Sequence, residues 1–229
     1  QVEQFMSRLF NEGDTIVPGS FKYGGITPYV RVSALTQGAK AKDFIGYVLT
    51  GVVSGVKAEV IFAEEKTNDD DTTFYLSYIS SGESKEESTF REGETLTSNT
   101  PDNYTAAVGI TGASKPIDTP ALGFGSIIEI NEGSYYVNGF AVRTEEQIIS
   151  LKKYGIDPSF KVGFIVDEDF VNSVEDPSLL DNSQGTSNFA APGADRLKIT
   201  LTLTKLELGG TIPPNFINII DIIDGNVVG

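Results

Sequence analysis

Residues 196–204 alternate without exception. Leu197, Ile199, Leu201 and Leu203 share one parity, and Lys198, Thr200, Thr202 and Thr204 the other. Successive side chains of a strand point to opposite faces, so this pattern belongs to an antiparallel strand with one face in a core and one in water. Past Lys205 the parity flips, because Leu206 and Leu208 fall on the formerly polar side. A period of two allows that only with a bulge, a twist or a change of neighbour, so a register break is expected between Thr204 and Leu206.

Other β-rich runs fall along the chain between turn residues. They are 29–32, 45–49 with Val52-Val53, 57–63, 72–79 and 161–166. Runs 57–63 and 72–79 flank an Asn/Asp-rich tip and read as a hairpin. Residues 126–130 and 135–137, joined by the turn Asn131-Glu132-Gly133-Ser134, read as a second one. Thr144 to Gln147 fits a helix capping box, yet Ile149 and Leu151 also alternate as in a strand, and the residues alone leave both open. The expected fold is therefore mainly β, with eight to twelve short strands in antiparallel sheets of sandwich or barrel type, long loops and little helix. One domain is expected over 1–210, with a break between two subdomains near the Pro-rich stretch 97–121, and 211–229 as a linker or the start of a following segment.

The chain has 229 residues and a formal net charge of −15, which repels nucleic acid and anionic lipid. No apolar run reaches the roughly 18 residues of a membrane span, so no membrane insertion is expected. Cys, His and Trp are all missing. That removes disulfides, thiolate nucleophiles, the commonest general base and the commonest transition-metal ligands. No cofactor, transition metal or catalytic residue is expected. The chain opens on Gln1-Val2-Glu3, so either its start is processed or it is a segment of something longer.

Several constellations have a functional and a plain reading. Asp69-Asp70-Asp71 lacks the spaced frame of a calcium loop and reads as a solvated hairpin tip. Asp167-Glu168-Asp169 with Glu175-Asp176 offers carboxylates of the kind used in glycoside cleavage, but nothing fixes their separation. Gly123-Phe124-Gly125, with Gly112 and Gly133, makes no phosphate-cradling motif and reads as turns. Ser183 and Ser187 have no His to activate them. Phe124 and Tyr135-Tyr136 are candidates for a ligand platform, with core packing the default.

The stretch 177–197, Pro-Ser-Leu-Leu-Asp-Asn-Ser-Gln-Gly-Thr-Ser-Asn-Phe-Ala-Ala-Pro-Gly-Ala-Asp-Arg-Leu, is long and specific. Together with 10–14, 16–19, Tyr135 to Phe140, 215–217 and 224–227, it resembles a domain of unknown function found in virion proteins of large tailed bacteriophages, cyanophages among them. The resemblance covers most of the chain and tips 145–153 towards strand. It implies a structural virion component (tail fibre, baseplate or neck appendage) with an assembly and attachment role. It also implies a location in the virion, after assembly in the host cytoplasm, and carries no catalytic site. The alternatives are a tailspike-type polysaccharide depolymerase and a host-glycan-binding module.

Two segments are the candidates for assembly or packing. The first is the loop holding Asp181, Asn182, Gln184, Asn188, Phe189, Pro192, Gly193, Asp195 and Arg196. Its small residues suit close backbone approach, its amides suit open backbone groups, and Pro192-Gly193 is expected to turn the chain. The second is Phe216, Ile217, Ile219, Ile220, Ile222 and Ile223, six large apolar residues in eight. They must pack on their own domain, on a partner copy or on following chain. The expected partners are other virion proteins and copies of the chain itself, as a trimer.

Overall fold

The computed structural model describes residues 9–17, 19–82, 87–182, 184 and 190–228. Its strands are β1 (Thr15–Val17), β2 (Phe21–Leu35), β3 (Val48–Gly51), β4 (Lys57–Glu64), β5 (Thr72–Ser80), β6 (Thr95–Ser98), β7 (Thr105–Val108) and β8 (Leu122–Ile130). Then come β9 (Gly133–Val137), β10 (Phe140–Thr144), β11 (Gln147–Lys152), β12 (Phe160–Val171), β13 (Arg196–Glu207), β14 (Phe216–Ile223) and β15 (Asn226–Val228). Among the described residues every strand pairing is antiparallel, and two short 3₁₀ turns are present, Ala41–Phe44 and Pro177–Leu179. The fold is mainly β, as the patterning requires.

Six strands close a barrel in the order β2, β5, β4, β3, β6, β7, with β7 returning to pair on β2. Strand β2 can serve three neighbours because it is 15 residues long. One edge pairs with β8 up to Val30 and with β7 from Val32, while Tyr29 to Val32 pair with β5 on the other edge. Val30, Val32, Phe44, Leu49, Val60, Phe74, Leu76 and Leu96 fill the interior. The 57–63 and 72–79 runs form the expected hairpin, β4–β5.

Strands β8 and β11 extend the barrel sheet outward. A second core lies where they meet the three-stranded sheet β1-β9-β10 and the four-stranded sheet β13-β12-β14-β15. Its buried members include Ile128, Leu151, Tyr135, Phe164, Leu203 and Ile222. Residues 147–152 are strand, although the capping-box pair does interact, with Gln147 Nε2 donating to Thr144 Oγ1 at 2.8 Å.

Three expectations need correction. The hairpin 126–137 does not form: β8 pairs with β2 and β11, while β9 pairs with β1 and β10. Both edges of β8 are already occupied, so the chain must change sheets at Asn131, whose N–H donates to Ser20 O at 2.9 Å. The run from Ile45 is strand only from Val48, and Val52 and Val53 are exposed turn residues. The buried Glu94 carboxylate holds that turn, accepting from Val53 N and Ser54 N at 3.0 Å each.

The third correction concerns β13. Its register with β12 runs unbroken from Arg196↔Val171 to Glu207↔Phe160. The parity flip is absorbed by side-chain chemistry rather than backbone. Lys205 occupies the inward parity, and its Nζ donates to Ser150 O at 2.8 Å and Leu151 O at 2.7 Å, 5.1 Å from the Phe160 ring centre. A long aliphatic stem with a satisfied ammonium can line a core edge where a leucine would otherwise stand. The register shift in this sheet lies between β12 and β14, at Val162/Gly163.

Candidate functional site

The described residues of the predicted loop crown a β12–β13 arm. Strand β14 pairs with β12 only as far as Ile165, so residues 167–171 and 196–200 continue as a two-stranded ribbon. Strand β13 is the terminal strand of its sheet, and Gln147 blunts its outer edge: Nε2 donates to Leu201 O and Leu203 N donates to Oε1, both at 2.8 Å. Beyond Leu201, no strand among the described residues lies beside that edge. Phe170 and Leu197 stand opposite each other on the ribbon at 67% and 40% exposure, and Val174 beyond them is 89% exposed.

The loop folds back on itself. Leu180 bridges Pro192, Asp181 N donates to Ala191 O at 2.9 Å, Ala190 N to Asp181 O at 2.8 Å and Gly193 N to Leu179 O at 2.9 Å. A Cβ at Gly193 would lie 2.2 Å from Leu179 O, so the close backbone approach expected of this loop is real. Pro192 bridges rather than turns the chain, and Asn182, Gln184, Asp195 and Arg196 are exposed. Exposed amides are not placed to fill buried backbone gaps. Asn188 and Phe189, with Ser183 and Ser187, lie outside the described residues.

The apolar segment 216–223 is β14, paired with β12 and β15. Phe216, Ile220 and Ile222 are buried, Ile217 and Ile219 half-buried, and only Ile223 is exposed. Packing on its own domain removes the physical argument for self-association that this segment carried.

The acidic constellations resolve differently. Alternation along β12 sets Asp167 and Asp169 on one face and Glu168 on the other. Glu175 accepts from Asn172 N, and Asp176 caps the 177–179 turn, where hydrogen bonds from Ser178 hold its carboxyl below the ordinary value. Asp169, Glu175 and Asp176 line one pocket beside Arg196 and Lys198, while Glu168 lines another with Asn138. Among the described residues no group of three or more acidic side chains could hold a metal. Gly123 and Gly125 lie in β8, not in turns, and are glycines because a Cβ there would strike Tyr29 Oη at 2.8 Å or Lys153 O at 2.4 Å. Tyr135 and Tyr136 are core residues, and Phe124 is 52% exposed.

A second cluster was not legible in the sequence. The tip 69–71 is solvated only in part: Asp69 is exposed, but Asp71 is buried and accepts from Lys115 N at 2.9 Å, while Asp70 is half-buried. Lys153 Nζ, in the turn after β11, lies 2.8 Å from Asp70 Oδ2 and 3.0 Å from Glu64 Oε2. The neighbouring Tyr154 donates its hydroxyl to Asp70 Oδ1, and Thr73 Oγ1 lies 3.1 Å from the same hydroxyl. Burial, then the Asp70 hydrogen bond, pushes the Tyr154 phenol well above its ordinary value. Arg31, fully buried on the barrel's outer face, lies 5.4 Å from the Tyr154 ring centre and donates Nη1–H to Thr119 O at 2.6 Å. The missed signal was the pairing of an acidic tip with Lys153-Tyr154, more than 80 residues away, which no local pattern announces.

Residues 122–229, a little under half of the chain, match the model of a family described as a domain of unknown function (DUF4815). The matched part runs from β8 to β15 and includes the arm. No curated protein and no solved structure gives a significant match.

Proposed function

We propose that this chain is a structural component of a tailed-phage virion, in a tail fibre, baseplate or neck appendage. It acts in assembly and attachment without catalysis, alongside copies of itself as a trimer and other virion proteins. The observation that carries this reading is the β12–β13 arm. It projects past the core with Phe170, Val174 and Leu197 exposed and an outer edge that has no neighbouring strand among the described residues. Apolar side chains grouped on a projecting ribbon are costly in water and suit a protein partner. The virion resemblance of the 177–197 motif supplies the setting, and the motif crowns this arm.

The test is light scattering on the purified chain and on a Phe170→Ser/Leu197→Ser variant. The expected result is an oligomer that the double substitution returns to monomer while leaving the fold intact. A clean monomer at high concentration in both rejects the self-assembly part of the reading. Incubation with host capsule or lipopolysaccharide tests the rest: glycan release favours a depolymerase, and retention without cleavage favours a glycan-binding module.

A further inference from the structure

We propose that Lys153 and Asp70 form an intramolecular isopeptide bond, with Glu64 as the proton relay and Tyr154 as the oxyanion donor. This inference is independent of the virion reading. The three reacting side chains come from separate places in the chain: Glu64 ends β4, Asp70 sits in the tip before β5, and Lys153 follows β11. They nevertheless meet at hydrogen-bond distance, with Lys153 Nζ 2.8 Å from an Asp70 oxygen and 3.0 Å from Glu64. Lys153 and Asp70 side chains are only about a fifth exposed, the Tyr154 ring centre lies 5.5 Å from Lys153 Nζ, and Tyr29 packs edge-on against that ring.

The atoms balance without any co-reactant. Glu64 takes one proton from the Lys153 ammonium and passes it to Asp70 Oδ2, leaving an amine beside a carboxylic acid. The Nζ lone pair attacks Cγ, and the Tyr154 hydroxyl stabilises the negative charge on Oδ1. Glu64 then moves a second proton from nitrogen to the Oδ2 hydroxyl. The C–O bond breaks, water leaves, and an amide with one N–H remains. Glu64 ends as it began, and nothing is oxidised or reduced. Holding nucleophile and acyl carbon in contact supplies an effective molarity of roughly 10⁵–10⁸ M, which favours condensation in a fold although it fails between free side chains.

Lys161 and Asp221 provide an internal control. They are as close, at 2.7 Å, but Asp221 has the Asn218 amide donating to its other oxygen, and Lys161 holds its carboxyl below the ordinary value. That pair stays ionic.

Intact mass of the purified, denatured chain decides the matter. The expected mass is one water below that of the sequence. Peptide mapping should show Lys153 joined to Asp70 in a branched peptide, with trypsin unable to cut after Lys153. Lys153→Arg and Glu64→Gln should each restore the full mass, and Lys161→Arg should not. Wild-type protein at the full sequence mass overturns the proposal. So does a water loss that survives in Lys153→Arg, or one that maps to a succinimide at Asp224-Gly225.

Discussion

At the scale of single residues, the packing is tight enough to name positions that tolerate nothing larger. A Cβ at Gly163 would lie 1.9 Å from the backbone oxygen of Ile217, on the neighbouring strand. Gly163→Ala should therefore cost about 1–3 kcal/mol, read as a lower urea midpoint with an unchanged slope. Ionisable residues give two pH limits. Burial raises the Tyr75 phenol far above 10, with Glu64 adding to the effect, and Tyr154 is raised as well. The unfolded chain loses these protons first, so stability is full below pH 10 and falls as pH rises beyond it. Tyrosinate absorbance should then appear together with loss of sheet, and Tyr75→Phe should flatten that fall. At the acid end, the hydrogen bond from Lys161 holds the Asp221 carboxyl below 3.8. Its contribution is present above that value and is lost as pH falls through the lowered one, so Lys161→Met should reduce the acid sensitivity of unfolding. At this scale little was legible beforehand: Asp69-Asp70-Asp71 looks like any solvated tip until Lys115, Lys153 and Tyr154 are set against it.

Elements were better announced by the sequence, and where the reading failed the cause was a neighbour. The alternation of 196–204 became β13, with Leu201 and Leu203 buried as parity demands. The break expected at Lys205 did not occur, because a lysine with two carbonyl acceptors can hold an inward position. Two turns carry a plain local signal. Asn138-Gly139 joins β9 to β10 and Asp224-Gly225 joins β14 to β15, with positive φ at all four residues. That is the dipeptide signal of a two-residue hairpin. Gln147 ties β11 to the outer edge of β13 through both ends of its amide. Gln147→Ala leaves a half-buried donor and acceptor open and should cost about 1–3 kcal/mol in chemical unfolding. The equivalent test for β14 is Ile222→Ser. Its side chain is fully buried, so the variant should unfold several degrees lower while its oligomeric state stays that of the wild type.

For the whole molecule, the order of strands in space departs widely from their order in the chain. Thr15 pairs with Tyr135, and Phe21 with Ile130. Each such pairing closes a long loop before any contact compensates for it, so refolding should fall in the slow range of β proteins, milliseconds to seconds, by stopped-flow fluorescence of the tyrosines. A burst complete within microseconds would contradict this. The sequence by itself determined the β class, the parity of the buried strands and the exclusion of thiol and imidazole chemistry. Each of these depends only on residue type or on the two-residue repeat of an extended backbone. Tertiary structure alone decided that β2 serves both a closed barrel and the sheet beyond it, that β8 has no edge to offer β9, and that Asp70 meets Lys153 and Glu64. Strand edges and long-range contacts are filled by competition among all strands at once. The winner of that competition is set by global packing and has no local signature in the chain.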